Sequence, residues 1–262
     1  MLNQIGAWLT DPAHWTGPNG IPQRILEHLI YSGISLLIAM LIAIPLGIVV
    51  GHSGRAKWAV SLANSLRAVP TLGLLFAFSL WLGPKIASNL AFVIPSVIVL
   101  VLLAVPPILS GTYAGIQGVD PAARDAAKGM GMRGGEVLRK VEVPCSMPLL
   151  LSGVRSATLQ VIATATIAAS ISLGGLGRYL IDGLSVSDYA EMASGAILVA
   201  LLALLMDGVL ALVQRTAVSP GLTGKFRNTP GNRPVVSTTA RGNALETASP
   251  TDRADDQREA LV

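Results

Sequence analysis

The chain has 262 residues, of which 52% are hydrophobic and 13% are charged, and its formal net charge is +4. Soluble domains usually carry about 25% charged residues, so this composition indicates either a membrane protein or a very large buried core. Apolar runs of about 20 residues, the length a helix needs to cross a bilayer, recur along the chain and favour the membrane protein. The single cysteine, Cys145, excludes an intramolecular disulfide framework and a metal site built from cysteines.

The first 20 residues lack the basic start and apolar core of a cleavable signal peptide. We therefore expect the first membrane helix to direct the chain to the membrane. Five apolar runs further along are long enough to span a bilayer. The predicted spans are residues 29–50, 59–82, 86–108, 148–172 and 192–213.

The second predicted span is interrupted by Arg67 and Pro70. Prolines inside other spans, such as Pro45 and Pro95, are tolerated in a membrane because neighbouring helices satisfy the freed carbonyl groups. The sequence therefore predicts an all-α polytopic membrane protein with about five transmembrane helices.

The distribution of Lys and Arg predicts the orientation in the membrane. Most of these residues fall in the first loop between spans, in a long loop over residues 110–147 and in the C-terminal tail. Cytoplasmic connections carry an excess of Lys and Arg. We therefore expect the N-terminus outside, and the long loop and the C-terminus in the cytoplasm.

Three regions follow from this pattern. Residues 1–28 form an extracytoplasmic N-terminal segment, and residues 29–218 form the transmembrane domain. The tail, residues 219–262, is rich in Ser, Thr, Pro, Gly and mixed charge. Such a segment buries too little apolar surface to offset its conformational entropy, so we predict a disordered cytoplasmic tail.

The long loop between the third and fourth spans has local helix signals. Asp120 is a suitable N-cap and Pro121 suits the first helical position. The run that follows is rich in alanine, and Gly129 and Gly131 are expected to end the helix. A second short helix is predicted over 135–143, stopped by Pro144. The residues alone allow either a docking surface for another protein or a solvated loop with incidental helix.

Asp125-Ala126-Ala127, then Gly131 six residues after the acid, then Val141-x-Val143-Pro144, resembles the "EAA" loop of ABC importer permeases. The first position is Asp where the family more often has Glu. The segments "PPILSGTYAGIQGVDPAARDAAKGMGM", "SGVRSATLQVIATATIAASISLGGLG" and "WLTDPAHWTGPNGIPQRILEHL" look like the permeases of osmoprotectant importers. The resemblance covers about residues 7–215, and "RAVPTLGLLF", with Arg67, departs from the family pattern.

The resemblance implies an inner-membrane permease subunit of a bacterial importer, which moves glycine betaine, choline or carnitine by alternating access. Its implied partners are two copies of a cytoplasmic ATPase, an extracytoplasmic substrate-binding protein and a second permease chain, identical or homologous. ATP and Mg would bind to the ATPase, so this chain would need no cofactor and would not be an enzyme. The implied ATPase-coupling residues are Asp120, Pro121, Asp125, Ala126, Ala127, Gly129, Gly131, Glu136, Val143 and Pro144.

Charged and hydroxylated residues at membrane depth are the other candidates. A charge at that depth is costly and is a functional candidate by default. Arg67 either lines a pathway or interface or reaches the cytoplasmic surface, and Arg155 reaches the inner surface or pairs with another helix. Asp207 is the lone acid of its span, and a packing or pairing role near the inner half is favoured for it over proton coupling. The small and hydroxylated residues over 156–170 form either a subunit interface or a pathway lining, with helix packing alone an equal alternative. The pathway or interface candidates are Arg67, Pro70, Arg155, Thr158, Thr164, Thr166, Ser170 and Asp207.

Glycines after the fourth span, Gly174, Gly175 and Gly177, indicate an irregular outer turn. They follow no strand and lack the Gly-Lys-Ser/Thr of a phosphate-binding loop. The three histidines are too scattered for a metal site, and no pattern suggests nucleic-acid binding. The alternatives are a permease for another small solute such as an amino acid, or a self-sufficient proton-coupled carrier that uses Asp207. An intramembrane enzyme is disfavoured because no acid, base and metal cluster converges.

Overall fold

The computed structural model describes residues 2–86 and 90–218, which form helices and turns without a β-strand among them. The predicted disordered tail, 219–262, lies outside the described residues. A π-helical turn, Leu138–Glu142, joins two of the helices. The helices are α1 (Leu2–Thr10), α2 (Ile21–Ser53), α3 (Lys57–Ser65), α4 (Thr71–Leu82), α5 (Leu90–Gln117), α6 (Pro121–Gly129), α7 (Gly134–Val137), α8 (Val143–Ala168), α9 (Gly177–Val186) and α10 (Tyr189–Ala217).

Within the described residues, four helical segments are long and apolar enough to cross a membrane, and a bent pair of helices provides up to one more. This architecture confirms the predicted all-α membrane fold of about five spans. The domain boundaries and the orientation of the termini stay predictions. The four segments are Ile21–Ser53, Leu90–Gln117, Gly134–Ile171 and Tyr189–Ala217.

The bent pair corresponds to the second predicted span. Its halves, Lys57–Ala68 and Thr71–Lys85, meet at an angle of 91°. The backbone is extended at Val69, with φ −78° and ψ 129°, and α4 begins only after Pro70. A proline lacks an N–H and disfavours helical geometry in the residue before it. The interruption expected at Pro70 is therefore present, but residues 59–82 do not form one straight span.

The predicted loop over 110–147 is too long at both ends. Helix α5 continues to Gln117, and the next long helical segment, which follows the short helix α6, begins at Gly134. The extension is packed, because a Cβ on Gly115 would lie 2.8 Å from the backbone oxygen of Ser146. Small residues allow helix backbones to approach this closely. The segment that reads as polar loop is thus partly helix–helix interface.

Pro144 does not stop a helix, as the sequence predicts, but lies in the first turn of α8. The ring of a proline clashes with the carbonyl group four residues earlier in a regular α-helix. That carbonyl belongs to Lys140, within the π-helical turn Leu138–Glu142. The wider π turn accommodates the ring, so the helical path continues from Gly134 to Ile171.

Helix α5 lies at the centre of the bundle, between α2 and α8. A Cβ on Gly111 of α5 would lie 2.8 Å from the Cα of Gly153 in α8, so these two backbones touch. Helix α10, by contrast, exposes most of its apolar side chains. The core around the α5–α8 contact includes the buried residues Ala39, Ala43, Leu100, Ala104, Ile108, Ala157, Val161 and Ala165.

Candidate functional sites

The two ends of the bundle carry different polar clusters. The α6 end consists of the C-terminal turns of α2 and α5, the helix α6 and the start of α8. The α9 end consists of α1, the start of α2, the turn around Gly175, and α9.

Helix α6 begins and ends where the sequence predicts. The Asp120 side chain accepts a hydrogen bond of 2.9 Å from the backbone N–H of Ala122, and Pro121 occupies the first turn. Such a cap satisfies a backbone donor that the helix itself leaves free. After Gly129 the chain turns at Gly131, whose φ of +83° is in the left-handed region that favours glycine. The helix is therefore defined by its own local sequence.

One face of α6 packs on the bundle and the other is open. Ala127 is buried and Arg124 is half-buried on the packed face. Asp125, Ala126 and Gly129 are exposed, and Met130, just after the helix, is 71% exposed. Asp125 forms a surface ion pair of 3.8 Å with Lys128, a kind of pair that contributes little to stability. The open face combines small side chains with one large apolar one.

A buried carboxylate, Glu142, lies beneath α6. One of its oxygens, Oε2, accepts a hydrogen bond of 2.6 Å from Nδ1 of His52, in the last turn of α2. Its other oxygen, Oε1, lies 3.0 Å from Nε of Arg124 in α6. Arg124 also donates from Nη2 to the backbone oxygen of Ile116 in α5. The side chains of this cluster therefore connect α6 with α2, α5 and the start of α8.

The other predicted coupling residues have local roles. The Glu136 side chain accepts a hydrogen bond of 3.0 Å from the backbone N–H of Arg133, which caps α7, and lies 3.3 Å from Nζ of Lys140. Val143 is half-buried and Pro144 is exposed at the start of α8. The structure thus brings Asp120, Asp125 and Ala126 together on α6, whereas Val143 and Pro144 belong to the following helix.

Asp207 is paired, which is the kind of role that the sequence favoured for it, and its partner is Arg155. Arg155 of α8 donates from Nε and Nη2 to the two carboxylate oxygens of Asp207 in α10, at 2.5 Å each. Close by, Gln214 donates to the backbone oxygen of Pro148 at 3.1 Å. The partner of Asp207 lies 52 residues away in sequence, which is why single-helix patterns did not reveal it. The pairing expected for Arg155 is present.

The hydroxyl groups of α8 are turned to their own helix. The side chains of Thr158, Thr164 and Thr166 donate to the backbone oxygens four residues earlier, at 2.9, 2.8 and 3.1 Å. Ser170 has a buried hydroxyl without a hydrogen-bond partner in the described part of the chain. Arg67 and Pro70 are exposed at the bend between α3 and α4, apart from these residues. The contacts of the threonines support their packing interpretation.

The glycine turn at the α9 end is fixed to the start of α2. The N–H of Gly175, whose φ is +90°, donates to Oε2 of Glu27 at 2.8 Å, and the same oxygen accepts from Arg24 at 3.0 Å. His28 is buried, with Nε2 3.1 Å from the backbone oxygen of Ile162. A Cβ on Gly174 or Gly177 would collide with Glu27 or with the backbone of Thr166.

An open cleft of about 540 Å³ lies at the same end, between α1, α9 and the start of α10. The Tyr179 hydroxyl donates to the backbone oxygen of Asn19 at 2.7 Å, and burial raises its pKa to about 12. Trp8 stacks on His14, with ring centroids 4.1 Å apart. The acidic residues Asp182, Asp188 and Glu191 also line the cleft.

Several of these polar residues were missed by sequence reasoning. Glu142 occupies the variable position of the Val-x-Val-Pro pattern, and His52, Glu27 and His28 were not singled out. The available signal was a charged or imidazole side chain at the margin of an apolar run, where burial requires a partner. The partner itself lies up to 148 residues away, and such a distance leaves no local pattern.

Comparison with known proteins identifies the family. Residues 43–219, more than half of the chain, match the family model described as "Binding-protein-dependent transport system inner membrane component". The chain is 35% identical over 199 residues to the glycine betaine/carnitine/choline transport system permease protein OpuCB of Bacillus subtilis (strain 168), covering 76% of this chain and 88% of that protein. It is 32% identical over 215 residues to the osmoprotectant import permease protein OsmW of Salmonella typhimurium, covering 81% and 99%.

Solved structures share the fold. A chain of the MetNI methionine ABC transporter in an inward-facing conformation superimposes with a TM-score of 0.69 at 16% identity, covering 80% of this chain and 100% of that one. An amino acid ABC transporter crystallised with histidines gives a TM-score of 0.62 at 20% identity, covering 75% and 93%. The helical architecture, the matched region and the relatives agree. The chain belongs to the family of binding-protein-dependent transport system inner membrane components and is a permease subunit of an ABC importer.

Proposed function

We propose that this permease carries quaternary ammonium osmoprotectants, the class that includes glycine betaine, choline and carnitine. The relatives named for these solutes support the proposal, because they align with about three quarters of the chain at 32–35% identity. Only 5% of the residues are aromatic. Aromatic rings are the usual surface for quaternary ammonium groups, so the main recognition site belongs on the binding protein that delivers the solute.

The remaining partners follow from the importer architecture. Two copies of a cytoplasmic ATPase bind ATP and Mg and hydrolyse the nucleotide, while this chain contributes the transport path. A second permease chain, identical or homologous, completes a two-fold surface for the two ATPases. The excess of Lys and Arg on the side of α6 supports a cytoplasmic location for the α6 end and an outside location for the α9 end. The assembly lies in the bacterial inner membrane.

The observation that carries the proposed coupling to an ATPase is the open face of α6. The helix is capped at Asp120, ends before Gly131 and exposes small side chains, so a groove on an ATPase can approach its backbone. Its packed face contacts three long helices through Arg124 and Glu142. Closure of the ATPase pair on ATP binding then moves α6, and this motion switches the transport path between outward and inward access.

Co-purification with the ATPase tests this role of α6. In Gly131→Trp, a bulky side chain is placed on the turn after α6, at a left-handed backbone position with no described atom within 4 Å of its Cβ. We expect this variant to lose the ATPase while it remains in the membrane. Gly17→Trp is the matched control. Gly17 has a φ of +85° and similar open space, but it lies just before α2, not beside α6. Equal retention of the ATPase by both variants would contradict the docking role.

The solute class is tested with purified binding protein and permease complex in proteoliposomes. We expect ATP-dependent accumulation of radiolabelled glycine betaine, choline or carnitine, with competition among the three and none by amino acids. The fold similarity to methionine and amino acid transporters does not favour an amino acid, because identities of 16–20% show only the fold. Accumulation of an amino acid, or saturable solute binding by the permease without the binding protein, would reject this assignment.

A further inference from the structure

We propose that the carboxylate of Glu142 is the joint through which movement of α6 reaches α2 and α8. This inference rests on the proposed function of α6 as the helix that an ATPase moves. Glu142 acts as a positioning residue, because it touches neither solute nor nucleotide.

The burial of Glu142 is the first observation. The residue is 4% exposed, and a carboxylate removed from water is destabilising unless charged or hydrogen-bonded groups surround it. His52 at 2.6 Å and Arg124 at 3.0 Å provide those groups within the described part of the chain. Each contacts a different oxygen, so the carboxylate has one side on α2 and the other on α6. Its own backbone belongs to the helical path of α8.

The surrounding contacts make the connection stiff. Arg124 also donates to the backbone oxygen of Ile116 in the last turn of α5. The neighbouring Gln117 donates to the backbone oxygen of Gly51 in α2 at 2.5 Å. The ends of α2 and α5 are therefore bonded directly to each other as well as through the charged cluster. A displacement of α6 pulls on Arg124, and through Glu142 it pulls on His52 and α2.

The backbone at Glu142 also departs from regular α-helix geometry. Glu142 is the last residue of the π-helical turn that precedes Pro144. A π turn widens the helix locally and shifts the faces of the residues that follow, and such turns are frequent at functional sites. The charged side chain thus sits at the boundary between the irregular segment that follows α6 and the regular helix α8, where a motion of one has to be passed to the other.

The α6 helix has additional apolar contacts, such as buried Ala127 and Val137. Apolar packing holds α6 in place, but it is non-directional. The contacts of the Glu142 carboxylate, a hydrogen bond with His52 and an ion pair with Arg124, link named atoms of three elements. Two roles of these contacts therefore predict different results. If they only stabilise the fold, their loss lowers stability. If they transmit the motion of α6, their loss lowers the amount of solute moved for each ATP hydrolysed.

The test uses the complete complex of permease, ATPase and binding protein in proteoliposomes, and it measures solute accumulated per ATP hydrolysed. In Glu142→Gln the size of the side chain is kept while its charge is lost. Because Arg124 and His52 then lose the carboxylate charge that lies between them, we expect this ratio to fall about tenfold or more, while the ATPase still co-purifies. Arg139→Gln is the control, because Arg139 is an exposed cation of the same π turn without a polar partner among the described residues.

A second pair of variants keeps the test decisive if Glu142→Gln does not fold. His52→Gln retains an N–H donor that can reach the carboxylate, whereas His52→Ala removes it. We expect His52→Ala to lower the ratio of solute to ATP and His52→Gln to restore most of it. Unchanged ratios in Glu142→Gln and His52→Ala, or equal losses in Arg139→Gln, would overturn the joint. Failure of the wild-type complex to couple ATP hydrolysis to uptake would instead overturn the proposed function itself.

Discussion

Arg155 and Asp207 join α8 to α10 by a bidentate ion pair. Nε and Nη2 of the arginine each lie 2.5 Å from a carboxylate oxygen of Asp207. Both side chains are partly exposed on the surface of the bundle. Within a membrane such a surface meets lipid or another chain, where an unpaired charge is costly. The pair therefore explains how two charges are kept in an otherwise apolar pair of helices, and it makes Asp207 a poor candidate for proton transfer.

The first prediction concerns this ion pair. We expect Asp207→Ala to lower the thermal stability of the detergent-solubilised protein, because the guanidinium of Arg155 loses its counter-ion. The double variant Arg155→Leu with Asp207→Leu is expected to recover stability, since apolar pairs often replace ion pairs well. ATP-driven uptake should persist in Asp207→Asn and in the presence of an uncoupler. Collapse of uptake in both conditions would favour the self-sufficient proton-coupled carrier.

The second prediction concerns the glycine turn at the α9 end. In Gly175→Ala, a Cβ would be placed 3.1 Å from Nδ1 of buried His28, at a backbone φ of +90°. A non-glycine residue held in such a conformation costs about 1–3 kcal/mol. We expect a lower unfolding midpoint, measured by a fluorescence-based thermal shift. Gly208→Ala is the control, because Gly208 lies inside α10 with no described atom within 4 Å of its Cβ, and this variant should unfold no earlier than wild type.

The third prediction concerns the crossing of α5 and α8. A Cβ on Gly153 would lie 2.7 Å from the backbone oxygen of Pro107, so Gly153→Val forces the two helices apart. Overpacking of a core typically costs about 1–3 kcal/mol, and a backbone contact has little room to adapt. We expect aggregation or loss of the monodisperse peak in size-exclusion chromatography. Gly33→Val, at an exposed position of α2 with free space around it, should elute normally.

The fourth prediction concerns pH. Burial raises the pKa of the Tyr179 phenol from its ordinary value of 10.0 to about 12. The folded protein therefore holds the phenolic proton more tightly than the unfolded chain does. Its contribution to stability is fully present below pH 10 and is lost as the pH rises toward 12. Ultraviolet titration of tyrosinate should show late ionisation near pH 12 whose amplitude falls in Tyr179→Phe. Tyr189→Phe, at an exposed position, should leave that late ionisation in place.

Local signals predicted a large part of the fold. The apolar runs gave the candidate spans because their length follows from bilayer thickness. Asp120, Pro121 and Gly131 gave the limits of α6 because capping and left-handed turns depend on neighbouring residues. The family resemblance carried by Asp125, Ala126 and Ala127 is confirmed by the family match.

The errors have a common physical origin in contacts between distant segments. The segment from Ser110 to Gln117 looks polar, yet it is helical because Gly115 fits against Ser146. For Asp207 a packing or pairing role was favoured, but Arg155 was not identified as its partner because the counter-ion is on another helix. Glu142 occupies a position that a linear motif leaves variable, and its importance depends on His52, 90 residues earlier. The size of the bend at Pro70 also depends on packing, since a proline predicts only that a regular helix is interrupted.

The glycine contact between α5 and α8 has a mechanical consequence. Because Gly111 and Gly153 bring the two backbones together, neither helix can slide or rotate against the other without a clash, and closely packed interfaces change between discrete arrangements rather than deform smoothly. We therefore expect the two helices to move as one unit during transport, so that a change of access displaces other elements of the bundle against the α5–α8 pair rather than separating Gly111 from Gly153.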